Sequence, residues 1–79
     1  MTTVRYFAAA AEAAGAKSEQ LNAATLGEAL EQITATRDEH FTQVLARCAL
    51  LLDGVRVDDP ATPLVDATNL DVLPPFAGG

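Results

Sequence analysis

The last six residues, Pro74-Pro75-Phe76-Ala77-Gly78-Gly79, hold the clearest chemistry in the sequence. Ala77, Gly78 and Gly79 carry almost no side chain. Such an end can thread a narrow channel, and it leaves the carboxylate of Gly79 unobstructed. A free carboxylate is a poor electrophile. Adenylation with ATP would give it a good leaving group, and sulfur delivered onto that acyl group would give a thiocarboxylate, a soft nucleophile. The chain has no phosphate loop of its own: Gly27 and Gly54 stand alone, and Lys17 follows no glycine-rich run. Activation therefore falls to a separate enzyme that spends ATP, and no permanently bound cofactor is expected.

A diglycine by itself is also what a frayed terminus looks like. The context argues otherwise. Pro74 and Pro75 cannot donate to a strand ladder, so they end the last strand and favour a stiff polyproline II exit. Six extended residues reach about 20 Å at most, at roughly 3.3–3.6 Å each. Phe76 on such an arm is a natural anchor for a partner's pocket.

Other reactive side chains read as structural. Cys48 continues the series Phe41, Val44, Leu45, which makes it a buried helical residue rather than a persulfide site. His40 is a lone histidine facing solvent, with no second metal ligand spaced with it. Asp58, Asp59 and Asp66 are loop carboxylates expected to be solvated, so no metal is expected.

These residues need a scaffold. Residues 2–7 alternate and read as a strand, followed by an alanine-rich helix over 8–14 that Gly15 stops. Residues 19–23 read as a second strand. Thr25-Leu26-Gly27-Glu28 fits a capping box, and Leu26, Ala29, Leu30 and Ile33 form one helical face. Thr36-Arg37-Asp38-Glu39 reads as another capping box, opening a helix of about three turns. Residues 49–52 form an apolar run expected to be a strand buried on both faces. Asp53-Gly54 suits a type I′ hairpin turn into Val55-Arg56-Val57. Residues 58–63 read as a loop, 66–69 as a turn, and 70–73 as the last strand. Strand alternation places Phe7 with Arg5 and Thr3, away from Val4 and Tyr6, on an accessible face. The fold class is α+β: one small mixed sheet packed on one face by helices, with a body over 1–73 and a tail over 74–79.

Composition narrows the role. With 79 residues there is one domain and no room for an internal active site. A domain of this size buries only about 60% of its unfolded surface. Five Lys plus Arg against eleven Asp plus Glu give a net charge of −6. That repels phosphate backbones, so no nucleic acid is expected, and it suits steering toward a basic protein surface. A single cysteine excludes an internal disulfide. No secretory signal or membrane span is read, so a cytoplasmic protein is expected.

The end, Leu70-Asp71-Val72-Leu73-Pro74-Pro75-Phe76-Ala77-Gly78-Gly79, resembles that of the MoaD/ThiS family of sulfur carriers, molybdopterin synthase small subunits above all. Val4-Arg5-Tyr6-Phe7-Ala8 and Leu52-Asp53-Gly54-Val55-Arg56-Val57 also resemble that family, which usually has Asn where Asp53 stands. The family often has an Asp-Gly-Asp turn where this chain has Asp66-Ala67-Thr68-Asn69. The resemblance spans essentially the whole chain, and only the tail is specific. It implies a ubiquitin-like β-grasp fold. It implies that Gly79 is adenylated and thiocarboxylated by a ubiquitin-activating-type adenylyltransferase. It further implies that residues 74–79 enter a large molybdopterin synthase subunit, two carriers to a dimer of large subunits. There Gly79 would give sulfur to cyclic pyranopterin monophosphate. Phe7 and Leu73 match family contact positions and would form an apolar docking patch beside Pro74, Pro75, Phe76, Ala77 and Gly78.

On this reading the chain is a sulfur-donating subunit that is not catalytic alone. Pro74-Pro75 favours molybdopterin over the related carriers for thiamine thiazole or cysteine. A ubiquitin-like modifier joined to protein lysines, or a plain interaction module with an unused tail, are the competing readings.

Overall fold

The computed structural model describes residues 1–64 and 68–75. Its elements are β1 (Thr2–Tyr6), α1 (Ala9–Ala14), β2 (Ser18–Leu21), α2 (Leu26–Ala35), α3 (Glu39–Ala46), β3 (Ala49–Leu52), β4 (Val55–Val57) and β5 (Asn69–Leu73). They build one five-stranded sheet in the order β2-β1-β5-β3-β4. β1 and β5 run parallel, and the other three pairs are antiparallel. This is the mixed sheet and helix layer of a ubiquitin-like β-grasp.

Period-2 alternation sets the layers. Val4 and Tyr6 of β1 and Leu70 and Val72 of β5 point to the helices and are buried. They meet Leu26, Ala29 and Ile33 of α2, Ala10 of α1 and Phe41 of α3 in one core. Truncating a fully buried side chain such as Ile33 or Leu70 to Ala is worth about 2–5 kcal/mol.

The start of α2 shows how the core helix is anchored. Thr25 Oγ1 accepts from the Glu28 backbone N–H at 3.3 Å, as the capping box requires. The Glu28 carboxylate, however, accepts from the Thr25 hydroxyl rather than from its backbone. The loop supplies the remaining acceptors: the Leu26 and Gly27 N–H groups donate to the Thr62 and Pro60 carbonyls, both at 2.9 Å. Three of the four orphan donors of a helix start are thus satisfied. A Cβ on Gly27 would sit 3.2 Å from both Cβ and O of Pro60, so any larger residue needs Pro60 to give by a few tenths of an ångström.

Several boundaries differ from the sequence expectations. The cap of α3 is Asp38, whose Oδ1 accepts from the Phe41 N–H at 3.0 Å; Thr36 instead closes α2. With eight residues α3 makes just over two turns rather than three. Cys48 therefore lies beyond the helix, half-buried, where its thiol donates to the Val44 carbonyl at 3.2 Å. β2 covers Ser18–Leu21 instead of 19–23 because its partner β1 begins at Thr2, opposite Leu21. β3 is half-buried along its length, not buried on both faces, since helices cover only one side of the sheet. Asn69 opens β5 rather than ending a turn. Its carbonyl accepts from the Asp53 N–H, and its own N–H donates to the Asp53 carboxylate, both at 2.9 Å. Of the turn expected at 66–69, Asp66 and Ala67 lie outside the described residues. The Asp53-Gly54 turn has positive φ at both residues (49° and 85°), as a type I′ turn requires.

Candidate functional site: the tail exit and the open sheet face

The tail leaves from the middle of the sheet. β5 is hydrogen-bonded on one side to β1 and on the other to β3, and it ends at Leu73. Pro74 follows, half-buried, and Pro75 is exposed. Phe76, Ala77, Gly78 and Gly79, expected to form the anchor and the reactive end, lie outside the described residues.

Strand register assembles the face around this exit. Leu73 pairs with Ala49 of β3, and Tyr6 pairs with Val72, so the next residue of each strand brings Phe7 opposite Leu73. The Phe7 N–H still donates to the Val72 carbonyl at 3.2 Å, which extends the ladder one residue past β1. Phe7, Leu73 and Ala49 therefore form one apolar row across three strands. Phe7 is 39% exposed and Leu73 is half-buried, so the structure brings these two expected contact residues together on the uncovered face.

The next row holds charge. Ser18, Arg5, Asp71, Leu51 and Arg56 face one another across the five strands. Arg5 grips Asp71 through both prongs of its guanidinium, Nε to Oδ1 at 2.6 Å and Nη2 to Oδ2 at 2.9 Å. That bidentate bond raises the Arg5 pKa, first through the hydrogen bond itself and then through the carboxylate charge. The guanidinium carbon also lies 6.0 Å from the Phe7 ring centroid. Sequence reading found Phe7 and Leu73 but missed Arg5 and Asp71. Their alternation was visible, but it could not show that the first and last strands lie side by side.

A turn of unusual geometry joins this face to α1. Ala8 has φ 48° and ψ −125°, and the Ala10 N–H donates to the Phe7 carbonyl at 2.9 Å. This is the first central position of a type II′ turn, where glycine is the usual residue. A shallow depression opens beside it, lined by Phe7, Ala8, Ala11, Lys17 and Ser18.

On the opposite side of the sheet a second arginine organises the core. Arg37 Nη2 donates to Glu19 Oε2 at 2.6 Å, Nε to the Ala14 carbonyl at 3.1 Å, and Nη1 to the Ile33 carbonyl at 2.8 Å. It thereby ties the ends of α1 and α2 to β2. Its guanidinium carbon lies 5.3 Å from the Tyr6 ring centroid and 5.0 Å from that of Phe41. The two rings meet edge to face at 5.9 Å. The Arg37 hydrogen bond holds the Glu19 carboxyl below its usual range, and burial is the main cause of the raised Tyr6 pKa.

The other sequence candidates stay apart. His40 is exposed on α3, and burial pushes the Cys48 thiol upward, which makes it less reactive. Asp59 Oδ1 accepts from the Ala61 N–H at 2.9 Å and so closes a turn. Among the described residues no group of three His, Cys, Asp or Glu side chains could hold a metal ion. No helix among them is long and apolar enough to cross a membrane.

Several solved structures share this fold. Subunits 1 and 2 of the molybdopterin-converting factor from Helicobacter pylori, solved as a protein-protein complex, include a chain 29% identical over 99% of this chain and 97% of that one, with a TM-score of 0.74. SAMP1 from Haloferax volcanii is 22% identical, covering 99% and 98%, with a TM-score of 0.83. A chain of the Amycolatopsis orientalis BexX/CysO complex is 18% identical over all of both chains, with a TM-score of 0.81. At these last two identities the likeness speaks to fold alone. No curated protein matches this sequence. The family model described as ThiS family matches residues 4–79, a span that runs from β1 through the diglycine. The chain belongs to the ThiS family of ubiquitin-like sulfur carriers.

Proposed function

We propose that this chain is the sulfur carrier subunit of molybdopterin synthase, acting in the cytoplasm. The observation that carries the reading is the exit of Pro74 and Pro75 from the central strand, beside the uncovered row of Phe7, Leu73 and Ala49. On this reading the row docks the body beside the point where the tail leaves β5. The H. pylori two-subunit complex, with its chain 29% identical to this one, supports the choice of pathway.

In this mechanism an adenylyltransferase of the ubiquitin-activating type first joins the Gly79 carboxylate to AMP, releasing pyrophosphate. A sulfur donor then displaces AMP and leaves a thiocarboxylate. The tail, 74–79, next enters a large subunit, where Gly79 gives its sulfur to cyclic pyranopterin monophosphate. Pro74 and Pro75 stiffen the exit, Phe76 anchors it, and Ala77 and Gly78 keep it slim. ATP is used by the activating partner and is not held by this chain.

Intact-mass measurement after activation tests the chemistry. One carboxylate oxygen should be replaced by sulfur at Gly79, and a residue added after Gly79 should abolish the change without altering the melting temperature. Conversion of the pyranopterin by the thiocarboxylated chain and its large subunit tests the pathway. Failure there, with sulfur passing instead to a thiazole precursor or a serine-derived acceptor, would assign the chain to thiamine or cysteine synthesis. Adducts on protein lysines that vanish on deleting Gly79 would make it a modifier.

A further inference from the structure

Four of the five basic side chains are arginines, and Lys17 is the single lysine of the sequence. A guanidinium stays protonated and does not attack acyl groups, so Lys17 carries the one side-chain amine that can. Lys17 is exposed, and its ammonium makes no ion pair among the described residues. Strand direction sets its place. β1 and β5 are parallel and β2 is antiparallel to β1, so β2 begins at the end of the sheet where β5 finishes. The Tyr6 N–H donates to the Lys17 carbonyl at 2.8 Å, and Tyr6 pairs with Val72. Lys17 therefore stands two strand spacings, roughly 10 Å, from the strand that carries the tail. Phe7, Ala8, Ala11 and Ser18 line a depression with it, and no carboxylate among the described residues does. Residues 74–79 span about 20 Å when extended. That leaves slack for a turn back, which Gly78 and Gly79 permit, and the four-carbon stem of Lys17 adds reach. The α-amine of Met1 lies at the opposite end of β1.

We infer that Lys17 is a self-acylation site: when Gly79 is activated and no sulfur arrives, the Lys17 amine of the same chain takes the acyl group and closes a lactam. This rests on the activation of Gly79 in the sulfur-carrier reading. The neutral amine attacks the Gly79 carbonyl of the released acyl-adenylate. A C–N bond forms, the C–O bond to AMP breaks, AMP leaves and the amine gives its proton to water. A short tether holds its end at an effective concentration on the order of millimolar, about a thousandfold above a chain present at micromolar concentration. The amine of the same chain therefore wins over that of a second copy. The closed chain has no terminal carboxylate, so it can neither carry sulfur nor pass its end to another protein.

The test first sets the enzyme aside. The full chain is prepared with a small-thiol thioester at Gly79, and its fate is followed by intact mass. Wild type should release the thiol and settle one water below the free acid, with fragmentation joining Gly79 to Lys17. The rate constant should not change on dilution by about tenfold. Lys17→Arg should give the free acid alone. Hydrolysis alone in wild type, linkage to Met1, or two-chain products that grow with concentration would each overturn the inference. A second arm uses the adenylyltransferase encoded in the same genome with ATP and no sulfur donor. Pyrophosphate release followed by the same closed product supports the inference on the natural intermediate. A thioester chain that closes, with an enzyme that releases no pyrophosphate, keeps the Lys17 assignment and defeats the sulfur-carrier reading. A thioester chain that only hydrolyses, with an enzyme that yields thiocarboxylate, does the reverse.

Discussion

Two arginines on opposite sides of one sheet make ion pairs of the same length, 2.6 Å, and do different work. Arg37 is 14% exposed and wedged against Tyr6 and Phe41, with helix-end carbonyls as further acceptors. Arg5 is 48% exposed on the open face. An exposed pair is screened by water and contributes little, whereas removing one partner of a shielded pair strands the other. Distance alone therefore does not tell a structural ion pair from a surface one. The number of further groups that depend on the guanidinium does.

The largest expected effect is on Arg37. Arg37→Ala should cost about 3 kcal/mol, because it strands Glu19 and frees two carbonyls. By the usual scaling for a small domain the melting temperature should fall by about 12 °C or more. Arg37→Lys keeps the charge but loses the fork, so it should fall between the two proteins. A melting temperature equal to wild type would erase the contrast drawn here.

The same pair makes acid stability asymmetric. The Arg37 hydrogen bond holds Glu19 below its ordinary value of 4.5, so its contribution is fully present above that pH. It is lost as pH falls through the lower, folded value. Urea unfolding followed from pH 6 downward should therefore show a steep loss below about pH 4.5. Glu19→Gln should flatten part of that slope.

A gain is expected at the junction of the two sides. Ala8→Gly should stabilise by about 1 kcal/mol, since relief of a strained positive φ exceeds the added chain entropy of glycine. The matching rise in melting temperature is about 4–8 °C. The smallest effect belongs to Arg5. Arg5→Ala should leave the melting temperature close to wild type, and its consequence should appear in partner binding instead. A large loss of stability there would place the two arginines in one class.

Much of this scaffold was legible in the sequence. The face of Leu26, Ala29 and Ile33, the stop at Gly15 and the Asp53-Gly54 turn follow from spacing and backbone preference, and all three occur. Local signals of that kind act within a few residues. What the sequence hid depends on long-range register. That Phe7 would stand opposite Leu73, or that Arg5 would meet Asp71 66 residues away, needs the parallel pairing of β1 and β5. Asp38 was overlooked as a cap because Thr36 offered the same chemistry two residues earlier. The open face was readable only in fragments: Phe7, Leu73 and the prolines, without the row of charge beside them.

The parallel pairing of the first and last strands also has a mechanical side. A pull applied along β5 would be borne by ladders on both flanks, to β1 and to β3. That load runs in shear, so many backbone hydrogen bonds resist it together and none can be peeled away singly.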